Sequence, residues 1–287
     1  MQSLYDVPAP AKLNLFLHIN GRRTDGYHLL QSVFMLIDWQ DRLHFEKTVS
    51  SNAIRREDLN AHAPTLPAED LIVRAAKALQ DATGCMLGAN IALDKQIPSQ
   101  AGMGGGSSDA ASTLIALNRL WNLGLNRQQL AQIGLKLGAD VPFFIGGHNA
   151  WVEGIGEKIT PLTGEAALPP QQFLVVKPEV GLDTGKIFSA ESLNRSSQPA
   201  TIAVFAADHY GFGHNDLQPV AEGLCPDVKK VRNWLESLGL HARMTGSGSA
   251  VFAPMKQANY PKPQQCNWTI RICENLQSHP LQEWLAD

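Results

Sequence analysis

The sequence has no excess of positive charge. Its 24 Lys and Arg residues stand against 27 Asp and Glu residues, which gives a formal net charge of −3 at pH 7. Proteins that bind nucleic acid usually present a basic face. We therefore expect no nucleic-acid partner, and any positive site for an anionic ligand has to be local.

Long apolar runs and paired cysteines are also absent. No apolar run approaches the ~20 residues that a helix needs to cross a bilayer, and the first residues lack the basic and apolar regions of an export signal. The four cysteines show no CxxC spacing: they are Cys85, Cys225, Cys266 and Cys273. This usage predicts a cytoplasmic protein with reduced thiols, no membrane partner and no cysteine metal site.

The length of 287 residues is sufficient for two domains and a substantial core. Strand-like and helix-like segments are mixed without the regular alternation of a doubly wound sheet, which predicts the α+β class. The segments 29–39 and 42–46 are predicted strands, and 69–82 is a predicted helix that stops at Gly84. Asn126 with Gln129 predicts a capping box, and Thr184 is a predicted helix cap. A stretch rich in proline and small residues, 163–172, is the predicted boundary. The predicted domains are therefore 1–162 and 163–287.

Glycine is concentrated in one stretch between a predicted strand, 89–95, and a predicted helix, 108–121. In order, the stretch contains Pro98, Ser99, Gln100, Ala101, Gly102, Met103, Gly104, Gly105, Gly106, Ser107 and Ser108. A glycine-rich turn before a helix leaves free N–H groups beside partial positive charge, which favours an anion such as phosphate. The stretch matches neither the Walker loop nor the dinucleotide fingerprint. The alternative is an ordinary surface connection.

Two further residues are candidates for chemistry beside such a loop. The alternation in 12–19 places Lys12 and Asn14 together on the face of a strand that we expect to lie away from the core. Asp140 is the only carboxylate between Asp109 and Glu153, and a phosphate site needs an acid to activate an acceptor or hold a metal. The alternatives are a solvated lysine and an aspartate that accepts backbone N–H bonds in a turn.

Five segments, in this order along the chain, resemble the GHMP kinase superfamily. They are PAKLNLFL at 10–17, DGYH at 25–28, PSQAGMGGGSSDAA at 98–111, GADVP at 138–142 and TGSG at 245–248. The resemblance implies an N-terminal domain like the second domain of ribosomal protein S5 and a ferredoxin-like C-terminal domain. ATP and a small-molecule substrate would meet between the two domains.

The resemblance also implies roles for particular residues. Asp140 would take the proton from the substrate hydroxyl, and Lys12 would lower the pKa of that hydroxyl, with Asn14 within reach of the same group. The loop 98–108 would surround the ATP phosphates, and Ser107 and Ser108 would offer hydroxyls to a phosphate or its metal. Mg²⁺ would shield the charge of the transferred group. The magnesium ligands stay open, because the helix after the loop has no acid beyond Asp109.

The first segment and the Tyr27-His28 pair are similar to the branch that phosphorylates the 2-hydroxyl of 4-diphosphocytidyl-2-C-methyl-D-erythritol in the non-mevalonate isoprenoid pathway. That likeness implies a cytosine stacked between Tyr27 and Phe188, with His28 at its polar edge and Thr184 in contact with the substrate. For Phe188 the alternative is core packing. The chain departs from the family at Asp70, where relatives usually have Asn.

Two other functions fit part of this pattern. A different GHMP kinase would phosphorylate another alcohol, without a cytidylyl group. A catalytically silent nucleotide-binding protein could share the fold, although the presence of both Lys12 and Asp140 argues against it. The sequence carries no signal for the oligomeric state.

Overall fold

The computed structural model describes residues 1–60, 66–255, 260, 263 and 267–287, and two β-sheets organise them. The strands of the first sheet are β1 (Ser3–Arg22), β2 (His28–Thr48), β3 (Ile54–Asp58), β4 (Gly88–Asp94), β5 (Ala150–Gly154) and β6 (Lys158–Pro161). Strand β1 pairs along one edge of β2, while β4 and β5 share its other edge. All of these pairs are antiparallel except β3 with β4.

Strands β1 and β2 form a long ribbon of 20 and 21 residues. We predicted shorter pieces, 12–19 for the first strand and 29–39 with 42–46 for the second. Four register shifts interrupt the pairing of β1 with β2. Such bulges bend and twist a ribbon without ending it. Because the register also shifts between Asn14 and Leu17, the strict alternation that we read from the sequence is broken there.

Four helices pack with the first sheet and share its largest apolar core. They are α1 (Leu71–Thr83), α2 (Gly105–Leu120), α3 (Arg127–Leu135) and α4 (Val141–Gly146). The predicted stop of α1 at Gly84 is confirmed, since this residue is left-handed at φ 67°. The predicted capping box of Asn126 with Gln129 at the start of α3 is also confirmed. Helix α2 begins earlier than expected, inside the glycine stretch.

The second sheet is a separate four-stranded unit in the order β10-β7-β9-β8, with every pair antiparallel. Its strands are β7 (Gln172–Lys177), β8 (Arg243–Met244), β9 (Val251–Pro254) and β10 (Thr269–Glu274). The accompanying helices are α5 (Thr184–Ser189), α6 (Ile202–Ala206), α7 (Gln218–Leu224) and α8 (Pro226–Ser237), with single 3-10 turns at Gly164–Ala166 and Gln282–Trp284. Asp183, and not Thr184 as predicted, caps α5.

The two sheets are joined by a shared apolar cluster that includes Leu13 and Phe16 of β1 with Phe173 and Phe252 of the second sheet. Our expectation that Lys12 and Asn14 lie on a face away from the core is wrong, because they are only 4% and 2% exposed. The Lys12 side chain lies beside Phe34 and next to Gly104 and Phe144, and Asn14 contacts Thr245 of the loop after β8.

The C-terminal tail returns to the first layer. Leu281 and Leu285 lie in the first core cluster, and the Arg127 N–H donates to the Ala286 carbonyl at 3.0 Å. The two sheets divide between β6 and β7, where we predicted the domain boundary, yet the tail belongs spatially with the first sheet. Within the part of the chain that the structure describes, no helix has the length and apolar character to span a membrane.

Candidate active site

Three segments that are distant in sequence are locked together by backbone hydrogen bonds. The Lys12 N–H on β1 donates to the Met103 carbonyl in the glycine stretch at 3.0 Å, and the Ala250 N–H donates to the Ala101 carbonyl at 3.2 Å. The Asn14 N–H donates to Thr245 Oγ1 at 2.9 Å. The glycine stretch is thus held between β1 and the loop 245–249. It is an ordered part of the fold and not a loose surface connection.

Glycine is required at two positions of this stretch for different reasons. Gly102 has φ 72°, and a Cβ there would lie 2.2 Å from the Thr245 carbonyl oxygen. Gly104 has φ 70°, and a Cβ there would lie 3.0 Å from the Phe144 ring and 3.2 Å from the Lys12 side chain. Both positions combine left-handed backbone with close packing, so other residues would be strained and crowded.

Beside Gly104 the structure brings Lys12 and Asp140 together. The Lys12 Nζ atom lies 3.7 Å from Asp140 Oδ2, and the two side chains are 5% and 31% exposed. Burial lowers the pKa of the Lys12 ammonium below its ordinary value, while the Asp140 carboxylate acts in the opposite direction. Because the separation exceeds a hydrogen bond, an oxygen atom of a ligand can reach both groups at once.

Asp140 occupies the position just before α4, but its side chain makes no capping hydrogen bond. The alternative of a turn aspartate satisfied by its own backbone therefore lacks support. The segment before it also borders the glycine stretch, since a Cβ on Gly138 would lie 3.7 Å from Ser107 Oγ. Asp140 thus faces the same region as the beginning of α2.

Asn14 connects this pair to the body of β1 and β2. Its Oδ1 atom accepts a hydrogen bond from Lys12 Nζ at 2.5 Å, and its Nδ2 atom donates to Ser32 Oγ at 2.9 Å. Ser32 Oγ in turn donates to the Phe16 carbonyl at 2.5 Å. The Lys12 ammonium also lies 4.8 Å from the centre of the Phe34 ring. These contacts fix the direction in which the ammonium points.

The glycine stretch lines a cavity of about 720 Å³, which we call the glycine-loop cavity. Its lining includes every residue of 98–107, together with Asp70, Lys95, Asp109, Thr184 and Ser247. The first intrahelical bond of α2 runs from the Ser108 N–H to the Gly104 carbonyl. The N–H groups of Gly105, Gly106 and Ser107 precede that bond and belong to the N-terminal turn, where an anion is favoured.

Ser108 is the residue of the stretch that is placed differently from our expectation. Its side chain is fully buried, and its hydroxyl donates to the Pro10 carbonyl at 2.7 Å. That hydrogen bond ties α2 to β1 and uses the hydroxyl proton inside the fold. Of the two hydroxyls that we expected near a phosphate, the Ser107 hydroxyl is the one that lines the cavity.

The sequence patterns did not point to a buried charge cluster on the floor of this cavity. Lys95 Nζ forms ion pairs with Asp109 Oδ2 at 2.8 Å and with Asp41. Burial lowers the pKa of Lys95, but the two carboxylates outweigh it and the result lies above the ordinary value. Burial, opposed by Lys95, raises the pKa of Asp109 well above its usual range. Among the described residues, Asp109 Oδ1 has no hydrogen-bond partner.

The charge cluster also fixes the entry to the glycine stretch. Asp41 Oδ1 accepts hydrogen bonds from the N–H groups of Gln96 and Ile97 at 2.5 and 2.7 Å. Lys95 extends from that point to Asp109 on α2. The cluster therefore ties the strand end before the glycines to the helix after them, which holds the loop at both ends.

Two other residues on the rim of the glycine-loop cavity are explained by the local structure. Asp70, the departure from the family's Asn, caps α1 by accepting the Val73 N–H at 3.0 Å. Thr184 lies 2.7 Å from Ser247, hydroxyl to hydroxyl. Thr184 thus lines the glycine-loop cavity and bridges it to the loop 245–249, and its predicted contact with the substrate stays a prediction.

Tyr27, His28 and Phe188 line a second cavity, of about 450 Å³, which we call the aromatic cavity. The rings of His28 and Phe188 are 5.2 Å apart, centre to centre. Tyr27 is 60% exposed, so its ring is available at the mouth. Helix α5 reaches both cavities, because Thr184 at its start lines one and Phe188 near its end lines the other.

The glycine-loop segment matches a known domain family. Residues 70–148 match the model described as GHMP kinases N terminal domain. Residues 198–265 match the model described as GHMP kinases C terminal. The two matches fall on either side of the division between the two sheets.

Full-length relatives are more specific. A 4-diphosphocytidyl-2-C-methyl-D-erythritol kinase from Delftia acidovorans is 66% identical over 287 residues, covering 100% of this chain and 99% of that protein. A protein of the same name from Polaromonas naphthalenivorans is 59% identical, over 99% of this chain and 97% of that protein.

Solved structures of similar proteins support both the family and the fold. A crystal structure of 4-(cytidine 5'-diphospho)-2C-methyl-D-erythritol kinase has a TM-score of 0.73 and 34% identity, covering 88% of this chain and 90% of that chain. A mevalonate kinase structure has a TM-score of 0.67 at 14% identity, over 95% of this chain and 99% of that chain, which shows the fold alone. The predicted two-domain α+β fold is thereby confirmed, and the chain belongs to the 4-diphosphocytidyl-2-C-methyl-D-erythritol kinase family of the GHMP kinases.

Proposed function

We propose that this chain transfers the γ-phosphoryl group of ATP to the 2-hydroxyl of 4-diphosphocytidyl-2-C-methyl-D-erythritol. The observation that carries the proposal is the 3.7 Å approach of Lys12 Nζ to Asp140 Oδ2 next to the glycine stretch. A hydroxyl oxygen placed between these two groups would meet a base and a positive charge at the same time. The names of the relatives supply the substrate.

Asp140 acts as the general base in this proposal. It takes the proton from the acceptor hydroxyl as the hydroxyl oxygen forms its bond to the γ-phosphorus and ADP leaves. Lys12 stays protonated, lowers the pKa of the hydroxyl and stabilises the developing negative charge on its oxygen. Asn14 and Ser32 hold the ammonium in place. A positioned base contributes roughly 10²–10⁴ in rate, or about 3–5 kcal/mol.

The glycine-loop cavity receives ATP. The N–H groups of Gly105, Gly106 and Ser107 face the phosphates, and the partial positive charge of the α2 N-terminus contributes roughly 0.3–1 kcal/mol per charge. The backbone of 98–104 would follow the nucleotide, in a shape that requires the left-handed backbone of Gly102 and Gly104. The charge cluster of Lys95, Asp41 and Asp109 keeps the two ends of the loop in register.

The protein oxygens of this cavity also fit Mg²⁺. Among the described residues, no group of three or more His, Cys, Asp or Glu side chains could hold a metal by itself. Mg²⁺ in nucleotide sites usually keeps water and phosphate ligands and takes only one or two protein oxygens. Ser107 and Asp109 line the cavity, and among the described residues Asp109 Oδ1 lacks a hydrogen-bond partner. These two side chains would hold the ion there. When bound, the ion neutralises phosphate charge.

The aromatic cavity receives the cytosine. Tyr27 and Phe188 offer ring faces for stacking, and His28 offers a polar edge. The cavity volume of about 450 Å³ suits a base with part of its ribose. Helix α5 lines both cavities, so a shift of this helix on binding in one cavity would also move residues of the other.

The test is ADP release with Mg-ATP against a panel of acceptors. Cytidylylated methylerythritol should support turnover, and plain methylerythritol, mevalonate and homoserine should support little. The position of the new phosphate is then read by phosphorus NMR. Equal turnover of a plain polyol would favour a different GHMP kinase, and binding of ATP without turnover of any acceptor would favour a silent nucleotide-binding protein.

A further inference from the structure

Arg195 does not line the aromatic cavity, but it contacts His28, which does, and all three nitrogen atoms of its guanidinium group donate hydrogen bonds. Its Nη1 and Nη2 atoms donate to four carbonyls at the end of α5 and in the turn that follows, those of Phe188, Ala190, Glu191 and Leu193, at 2.8–3.5 Å. Its Nε atom donates to His28 Nε2 at 3.1 Å. The carbonyls fix the plane of the guanidinium, and the Nε–H therefore points in a fixed direction.

This contact determines the protonation of the imidazole ring. A guanidinium has five N–H donors and no acceptor, and it does not lose a proton in proteins. His28 Nε2 must therefore accept with its lone pair. The ring is then neutral and carries its hydrogen on Nδ1, since a neutral imidazole has one donor and one acceptor nitrogen.

The charges around His28 act in the same direction. Burial lowers the pKa of His28, and the nearby cations Arg195 and Arg22 lower it further. From α5, the neighbouring group is the uncharged Phe188 ring. An imidazolium at this position would face two guanidinium groups, so the neutral ring is favoured over the working range of pH.

We propose that Arg195 is a positioning residue that holds His28 as the neutral Nδ1–H tautomer. The Nδ1–H group of His28 then serves as a hydrogen-bond donor in the aromatic cavity. The inference rests on the proposed function for the identity of the ligand, a pyrimidine nucleotide. Cytosine presents acceptors at O2 and N3, which a fixed N–H donor matches. Among the described residues, no hydrogen bond uses His28 Nδ1, so this donor is free for the ligand.

The tautomer is tested first, on the protein without substrate. Nitrogen-15 NMR of the imidazole in the wild-type protein at pH 8 should show an unprotonated Nε2 and a protonated Nδ1. In Arg195→Gln and in Arg195→Met the Nε2–H form should become the major tautomer, since methionine has no N–H donor and glutamine can accept from Nε2–H. A protonated Nε2 in the wild type, or an unchanged tautomer in both folded variants, would overturn the proposal.

The consequence for binding is tested by a double-mutant cycle. Loss of one positioned hydrogen bond to a substrate predicts about a tenfold rise in KM for the cytidylylated substrate in Arg195→Gln, with KM for ATP unchanged. His28→Asn places an amide donor near the former Nδ1 position without any help from Arg195. In that background, Arg195→Gln should have almost no further effect on KM.

Arg195 also donates hydrogen bonds to carbonyls at the end of α5 and so stabilises that end of the helix. The double-mutant cycle separates this structural role from the proposed effect on the His28 tautomer. If Arg195 only supports Phe188, its loss will raise KM by the same factor in both backgrounds, which overturns the proposal. Circular dichroism and the melting temperature show whether each variant is folded, and Arg195→Met replaces Arg195→Gln if the latter is not. Failure of the proposed function looks different, because no acceptor would be turned over while the NMR result would still hold.

Discussion

Replacing Lys12 with methionine separates catalysis from folding, because the two should respond very differently. Lys12 is 4% exposed, and methionine has a similar length and no charge. Loss of a charged donor from the reacting oxygen predicts a fall of roughly 10²–10³ in kcat. The same change should hardly affect the free energy of unfolding.

The stability estimate comes from two opposing contributions. The pKa of Lys12 is lowered in the folded protein, so the unfolded chain binds this proton more tightly, and the charge destabilises the fold at neutral pH. That cost is relieved only as the pH rises towards the ordinary lysine value of 10.5. Methionine removes the cost, but it leaves the buried Asn14 Oδ1 with only the long hydrogen bond from Thr245 Oγ1 at 3.5 Å, which costs at most about 1–3 kcal/mol. Asp140 stays partly hydrated, and the net change should be about 1 kcal/mol or less.

Lys177→Met is the matched control. Lys177 is also 4% exposed, but its ammonium donates to the carbonyls of Pro178 and Val180 at 2.6 and 3.1 Å. Its loss should lower the melting temperature and leave kcat near the wild-type value. The assays are ADP release and thermal unfolding. The reasoning is refuted if Lys12→Met loses more than about 3 kcal/mol of stability, or if its kcat stays within tenfold of wild type.

Three further results are expected. The alkaline limb of the kcat profile should fall below pH 10.5, because burial lowers the pKa of the Lys12 ammonium and the proposal needs it charged; a limb at 10.5 or above would show that the titrating group is not Lys12. Gly102→Ala should lose ATP affinity and stability together, since its Cβ would lie 2.2 Å from a carbonyl oxygen at φ 72°, and calorimetry with normal ATP affinity would contradict this. Phe188→Ala should raise KM for the cytidylylated substrate with little change in KM for ATP, whereas an equal rise in both would assign Phe188 to packing.

The sequence was most informative where residues close in the chain act together. The glycine stretch, the stop at Gly84 and the capping box at Asn126 depend on local backbone geometry, and local patterns predict them. The grouping of Tyr27, His28 and Phe188 around one cavity came from the family resemblance. Lys12 and Asp140 are 128 positions apart, and only that resemblance linked them before the structure placed them 3.7 Å apart.

Features that depend on contacts between distant segments could not be read from periodicity. The alternation in β1 suggested a solvated face for Lys12, because nothing in that segment indicates that the glycine stretch and Phe144 of α4 lie against this side chain. The charge cluster of Asp41, Lys95 and Asp109 comes from three different elements with no shared motif. Arg195 gave no signal either, since its role depends on the carbonyls at the end of α5.

The central claim is that Asp140 removes the proton from the acceptor hydroxyl. The most direct measurement is the single-turnover rate of phosphoryl transfer in Asp140→Asn, with ATP affinity measured by calorimetry. The matched control is Asp227→Asn, because Asp227 forms an ion pair with Lys230 at the surface. The account predicts a rate lower by roughly 10²–10⁴ with unchanged ATP affinity, and a control that behaves like wild type. A rate within tenfold of wild type in Asp140→Asn would contradict it.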